Sequence, residues 1–243
     1  MQKNEFLALL SDIFEANGLG KYAACGEIFF ALTERMLEVN EHLNLTAITE
    51  PEAVILRHYA DSLTLADLIP EGATVADIGS GAGFPAIPLC IARPDLRVTA
   101  IDGTGKRVRY MQETAELLGL SNLTALTMRA EAGAKDPALR GRFDVATARA
   151  VAGLPILSEL CLPYVKVGGQ FLAMKSREAE AELVTASKAI RILGGGDVGL
   201  EERTLTSANE PEPLTRVIIT VRKLNPTQAI YPRDYAQMKK KPL

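Results

Sequence analysis

The chain has 243 residues, 47% of them hydrophobic and 23% charged, with no tryptophan and a formal net charge of −3, which suits one large or two small globular domains. The N-terminal apolar run Phe6-Leu-Ala-Leu-Leu10 is too short, and too closely flanked by acids, for a signal peptide or a membrane span, which predicts a cytoplasmic protein with no membrane partner. Cys25, Cys90 and Cys161 are dispersed in apolar patterns, and nothing clusters with His42 or His58 at ligand spacing, so reduced core thiols and no metal are expected.

Residues 1–70 read as a helical front. Apolar residues recur at helical spacing over 2–16, 22–40 and 52–68, as in Phe6, Leu9, Leu10 and Ile13, then Ile28, Leu32, Met36 and Val39. From Ala73 the pattern alternates. Strands are predicted near 73–78, 97–102, 123–127, 143–147, 170–174, 198–205 and 214–223, with helices near 85–92, 106–118, 131–140, 153–164 and 177–193. Such alternation specifies an α/β fold with a parallel sheet, helices on both faces and an antiparallel edge made by the last two strands. Gly119 reads as a helix C-terminal cap, and Gly194-Gly-Gly196 as a loop breaker, since no Lys-Ser/Thr pair follows it. Three parts are expected: a helical extension over 1–70, a ligand-binding domain over 71–224 and a basic tail over 225–243.

Charge is unevenly spread. Residues 1–70 hold four basic side chains against eleven acidic ones, whereas residues 222–243 hold six basic ones against Asp234 alone. A local basic patch of this kind points to a polyanion contact, because binding follows the patch and not the total. Lys239, Lys240 and Lys241 are its densest part.

The most informative stretch is Asp77-Ile-Gly-Ser-Gly-Ala-Gly83, between an apolar strand and a helical pattern that carries Pro85 in its first turn. Gly79, Gly81 and Gly83 let the backbone turn sharply and approach a ligand closely. A dinucleotide fingerprint needs a sixth-position glycine, and Phe84 stands there, which disfavours a nicotinamide dehydrogenase. Acid-x-Gly-x-Gly-x-Gly resembles the first motif of S-adenosylmethionine-dependent methyltransferases, with Asp77 suited to a cationic methionine amino group. The next strand ends at Asp102, where such sheets place the acid that binds a ribose diol. Ala130 and Glu131, after the third strand, are placed to meet an adenine edge. Arg149 and Lys175 follow the fourth and fifth strands, and Arg149 either contacts a phosphate or bridges to Glu131 or Asp102. His58, Asp61 and Ser62 fall within about one helical turn, too close for a hydrolase triad, and read as a helix-surface cluster bracing the front against the core.

Taken in order, Asn44-Leu-Thr-Ala-Ile48, His58-x-x-Asp61-Ser62-Leu63, the glycine turn through Pro85, Lys106-Arg107, Arg129-Ala-Glu131, Phe143-Asp-Val-Ala-Thr-Ala-Arg149-Ala-Val151, Gly168-Gly-x-Phe-Leu-Ala-Met-Lys175 and Tyr231-Pro-Arg233 resemble the RsmG (GidB) family of bacterial small-subunit ribosomal RNA methyltransferases. The resemblance implies a Rossmann-like class I methyltransferase sheet of seven strands. It also implies methyl transfer from S-adenosylmethionine, leaving S-adenosylhomocysteine, to N7 of one guanine in the decoding-region loop of 16S ribosomal RNA. The partner is then 16S ribosomal RNA or the small ribosomal subunit. The family's cofactor positions fall on Gly79, Phe84, Ala130, Glu131 and Arg149, to which Asp77, Gly81 and Asp102 are added from the general methyltransferase pattern. Lys106, Arg107 and Lys239–Lys241 are RNA-binding candidates, while Arg149 and Lys175 are substrate-positioning candidates. One departure is Gly103-Thr-Gly105 in place of the serine-led stretch more usual before Lys106.

The chemistry agrees with what is missing. Guanine N7 carries an in-plane lone pair, so no general base is required and alignment carries the reaction, with N7 roughly 3–3.5 Å from the methyl carbon. No Asn/Asp-Pro-Pro-aromatic turn follows the fourth strand, and Cys161 sits in an apolar helical pattern rather than as a nucleophile. The basic edge of N7 is unreadable in A-form RNA, which predicts an unpaired or distorted target. A small-molecule methyltransferase, or a non-catalytic RNA-binding protein with a vestigial cradle, are the alternatives.

Overall fold

The computed structural model of the chain describes residues 1–208 and 212–243. The elements run α1 (Lys3–Ala16), a 3-10 segment (Gly20–Cys25), α2 (Gly26–Leu43), α3 (Pro51–Val54), a π-helical stretch (Ile55–Ala60), α4 (Asp61–Leu63), β1 (Thr74–Ile78), α5 (Ala86–Ala92), β2 (Arg97–Asp102), α6 (Gly105–Leu117), β3 (Leu123–Thr127), α7 (Ala130–Gly133), β4 (Phe143–Arg149), α8 (Leu154–Cys161), a 3-10 turn (Leu162–Tyr164), β5 (Val165–Lys175), α9 (Ala179–Ile192), β6 (Gly195–Leu205), β7 (Leu214–Lys223) and α10 (Tyr235–Lys240). The seven strands lie in the order β3-β2-β1-β4-β5-β7-β6, and β7 runs antiparallel to both its neighbours. This is the expected sheet, antiparallel edge included.

Strand alternation divides the core in two. Val75, Val145 and Leu172 join one cluster with Phe6, Phe14, Phe29 and Met36 of the N-terminal helices; Ala76, Ala146 and Phe171 join the other with Leu157, Leu160 and Ile190 of α8 and α9. Both faces are therefore covered, as a parallel sheet requires. An aromatic chain from Phe14 to Phe29 to Tyr59 to Phe84, with centroids 5.6, 4.8 and 6.2 Å apart, connects the N-terminal helices to the glycine turn.

Several predicted bounds shift for identifiable reasons. The helix expected over 52–68 ends at Leu63, where Ser62 Oγ and Thr64 Oγ1 donate to the carbonyls of His58 and Asp61, and its centre is π-helical. The helix expected over 131–140 is only Ala130–Gly133, because Pro137 disfavours helical backbone in the residue before it. Pro163 turns the end of the next predicted helix into a 3-10 turn. β5 and β6 start earlier than predicted, at Val165 and Gly195, and take in glycines that close packing requires: a Cβ on Gly169 would stand 2.4 Å from the Asp144 carbonyl oxygen, and one on Gly195 would stand 2.8 Å from Val221. Gly119 takes φ +67 at the end of α6, as a capping glycine should.

Candidate active site

The strand order reverses between β1 and β4, and in open α/β sheets the ligand crevice lies outside the carboxyl ends at that point. The turn after β1 occupies it. Gly79, Gly81 and Gly83 have φ of +74, +58 and +87, backbone that a side chain resists. A Cβ on Gly79 would also meet Val151 at 2.7 Å, and one on Gly83 would meet Ile87 at 2.4 Å. The amides of Gly79 and Ser80 donate to the Ile101 carbonyl at 2.8 and 3.2 Å, tying the turn to β2. Asp102, at the end of β2, accepts the Gly81 amide at 3.0 Å and the Thr104 amide at 2.8 Å.

A hollow of about 290 Å³ opens beside this turn, lined among others by Gly79, Asp102, Arg107, Ala130, Glu131 and Tyr235. Beneath the turn Asp77 is 1% exposed; Oδ1 accepts the Thr147 hydroxyl at 3.0 Å, while Oδ2 is a buried acceptor with no partner. Burial pushes its pKa up to about 6, against the pull of the Thr147 hydrogen bond and of the Arg149 charge.

A second hollow of about 440 Å³ opens beyond the ends of β4 and β5, with Arg57, His58, Arg149, Lys175, Glu182 and Arg216 in its wall. Its floor is Asp61, fully buried, which accepts Arg149 Nη1 at 3.0 Å and Arg216 Nε at 2.8 Å. Arg149 also donates to the Arg57 carbonyl at 3.0 Å. Lys175 Nζ donates to the Ala152 carbonyl at 2.9 Å and to Glu182 at 2.7 Å. Asp61 thus holds Arg149 and Arg216, and Glu182 holds Lys175. The His58 ring stacks on Phe84 at 4.3 Å, and the Arg149 guanidinium also lies over the Phe84 ring, 5.4 Å from its centroid. Burial, and next the Arg149 charge, lower the His58 pKa to about 3, so the ring is neutral near pH 7. The hollows meet at the loop after β4, where Ala150 lines the second hollow and Val151 the first. Ala150 has φ +54, a strained backbone for a residue with a Cβ.

Of the predicted cofactor residues, Gly79, Asp102, Ala130 and Glu131 line the first hollow, with Asp77 and Gly81 in its supporting turn. The Ala130 carbonyl is taken by the Tyr164 hydroxyl at 2.7 Å, and Glu131 pairs with Arg129 at 3.5 Å. Arg149 lines the second hollow instead, and Phe84 is buried, 5.4 Å from the Arg149 guanidinium and in the lining of neither hollow. The bridge expected from Arg149 to Glu131 or Asp102 is made to Asp61 instead; His58, Asp61 and Ser62, expected to brace the front against the core, are all buried. Arg107 reaches the first hollow and Lys106 is exposed on α6. Lys239, Lys240 and Lys241 are exposed at the end of α10. Sequence reading missed Arg216, Glu182 and Tyr235, and only their place in the fold marks them out.

The residues of the first hollow fit a sulfonium amino-acid nucleoside. An orphan carboxylate oxygen awaits an ammonium, Asp102 has lone pairs left for a diol, and the glycines leave backbone room. Among the described residues no group of three or more metal-ligand side chains converges, and no helix is long and apolar enough to cross a membrane. Solved structures agree on the fold. The chain matches an S-adenosylmethionine-dependent O-methyltransferase from Thermotoga maritima with TM-score 0.53 and 16% identity, over 81% of this chain and 72% of that one. It matches an O-methyltransferase from Bacillus cereus, solved with S-adenosylhomocysteine, with TM-score 0.55 and 17% identity, over 79% and 91% of the two chains. Sheet order and glycine cradle define a class I methyltransferase, whose cofactor is S-adenosylmethionine.

The family model described as GidB, rRNA small subunit methyltransferase G, matches residues 27–208. Ribosomal RNA small subunit methyltransferase G of Lactobacillus acidophilus is 43% identical over 212 residues, covering 86% of this chain and 87% of that protein. Its counterpart in Geobacillus thermodenitrificans is 41% identical over 245 aligned positions, covering all of both chains. The chain belongs to the GidB family.

Proposed function

We propose that the protein transfers a methyl group from S-adenosylmethionine to N7 of a guanine in the decoding-region loop of 16S ribosomal RNA, within the small ribosomal subunit or its RNA. The observation that carries this reading is the basic second hollow beside the glycine cradle, joined to relatives named for small-subunit rRNA methylation. A wall that carries Arg149, Lys175 and Arg216 suits a phosphodiester.

When bound, the cofactor supplies an electrophilic methyl group. Asp77 and Asp102 hold its amino and ribose ends, and the Gly79–Gly83 turn sets its depth. Phe84, in contact with both His58 and Arg149, packs behind the wall that these two residues give the second hollow. Arg149 and Lys175, each held by a carboxylate, position the RNA at a distance set by the fold rather than by flexible side chains. Transfer to a lone pair leaves no proton to remove, which matches the groups in the wall: His58 is neutral and stacked, and Glu182 is engaged by Lys175 and the Leu154 amide. Cys161 is fully buried with its thiol pKa well above the usual range, so attack through a thiolate is disfavoured. Catalysis then rests on alignment and charge. Nucleoside mass spectrometry of small-subunit rRNA from cells with and without the gene tests this. One 7-methylguanosine present only with the gene is expected; identical profiles contradict it.

A further inference from the structure

We propose that the chain beyond β7 is a built wall of the cofactor hollow, in which Tyr235 presents its ring to the adenosine end of S-adenosylmethionine. The inference rests on the assignment of the first hollow to the cofactor. It concerns a segment outside residues 27–208, the stretch the family model covers.

Three cations, Lys223 buried and Arg140 and Arg233 partly buried, fasten this segment to the methyltransferase core. Lys223, the last residue of β7, is 2% exposed and donates to the carbonyls of Leu162 and Leu193 at 2.8 and 2.7 Å and to the Thr227 hydroxyl, so all three of its protons are used. Arg140 reaches from the β3–β4 connection and donates to the carbonyls of Thr227, Gln228 and Tyr231 at 2.8, 3.0 and 2.8 Å. Arg233 grips Glu159 of α8, with Nε and Nη2 at 2.9 and 2.6 Å from its carboxylate, and Glu159 is 1% exposed. Arg233 Nη1 also donates to the Lys241 carbonyl at 3.0 Å, closing a ring around α10, whose Met238 is fully buried in the α8–α9 core cluster.

Charges taken out of water are costly unless their donors are matched: Lys223 uses two core carbonyls and the Thr227 hydroxyl, Arg140 the segment's own carbonyls, and Arg233 the Glu159 carboxylate. The anchoring holds Tyr235 on the rim of the hollow that also contains Gly79, Asp102, Ala130 and Glu131. Arg129, next to Ala130, lies over the Tyr235 ring at 5.5 Å. The adenine edge was placed at Ala130 and Glu131 on sequence grounds, and Tyr235 supplies what that edge lacks, an aromatic face. With only two rotatable bonds, the ring is ordered at low entropic cost.

Isothermal titration of S-adenosylhomocysteine and of adenosine into wild type, Tyr235→Ala and Tyr235→Phe tests the proposal, with apo melting temperature as the control for folding. Tyr235→Ala is expected to weaken both ligands roughly three- to tenfold, the size of one lost aromatic contact, and Tyr235→Phe to leave both unchanged. Saturating S-adenosylhomocysteine is expected to slow trypsin cleavage at Lys239–Lys241 in wild type and not in Tyr235→Ala. Unchanged affinity in Tyr235→Ala, with wild type binding normally, overturns the role of the segment alone. Failure of the wild type to bind overturns the cofactor reading beneath it.

Discussion

Replacing Asp61 with Asn keeps the shape of the second hollow's floor and removes its charge. In the wild type one buried carboxylate accepts Arg149 and Arg216 at 3.0 and 2.8 Å. An amide offers one acceptor and one donor group, so one guanidinium keeps a partner and the other faces N–H against N–H. Breaking a fully buried ion pair costs about 3–5 kcal/mol. The side chains of Arg149 and Arg216 are 18% and 26% exposed, so water recovers part of that. A loss of about 2–3 kcal/mol is expected at the discounted end of that range. Unfolding entropy for a chain this long is about 0.5 kcal/mol per degree, so the melting temperature should fall by about 5 °C. Single-turnover methylation should fall more than tenfold below the melting transition, because Arg149 loses its aim. Arg149→Ala should lower the rate as sharply with less loss of stability, since Asp61 keeps Arg216. In the Arg149→Ala background, Asp61→Asn should then cost little further activity. A wild-type melting temperature and rate in Asp61→Asn would refute the reasoning, and fully additive losses in the double variant would show that Asp61 does not act through Arg149.

Gly79→Ala forces a side chain into φ +74 and against Val151 at 2.7 Å. It should cost about 1–2 kcal/mol from the left-handed backbone alone and abolish measurable cofactor binding by titration. Asp77 has a folded pKa raised to about 6, so its ionised form is disfavoured in the fold and its contribution to stability is lost as pH rises from the carboxylate range through 6. A cofactor ammonium reverses that preference. Affinity should therefore rise between pH 5 and 6.5 with uptake of the ligand releasing a proton, and Asp77→Asn should bind weakly and without that pH dependence. Replacing Lys239, Lys240 and Lys241 together by Ala should reduce the salt slope of binding to small-subunit RNA by about 2 while leaving single-turnover rate at saturation unchanged. An unaltered slope would remove these lysines from the RNA contact.

The cradle was legible because its signals are local. Glycines at fixed spacing after an apolar strand can be read from one window, and Asp102 follows from the length of one βα unit. Bounds failed where glycines serve close packing inside strands, as at Gly169 and Gly195, and where Pro137 stops a helix early. The second hollow was half legible. Arg149 and Lys175 sit at strand ends, where ligands lie, but Arg216 is inside an antiparallel edge strand, and it meets Asp61 across 155 positions of sequence. His58, Asp61 and Ser62 read as a cluster bracing the front against the core, but helical periodicity does not reveal that Asp61 takes Arg149 and Arg216. The C-terminal segment looked like a basic tail. Two of its six cations, Lys223 and Arg233, are in fact used up inside the fold, by acceptors no local pattern announces.

The most direct test uses purified protein, methyl-labelled S-adenosylmethionine and small ribosomal subunits from cells lacking the gene, with the product rRNA reduced by borohydride and cleaved by aniline at 7-methylguanosine. The account predicts label incorporation near one methyl per subunit and a single new cleavage, at one guanine of the decoding-region loop. Label retained in RNA that aniline leaves intact, or no label at all from a chain that binds the donor, would contradict it.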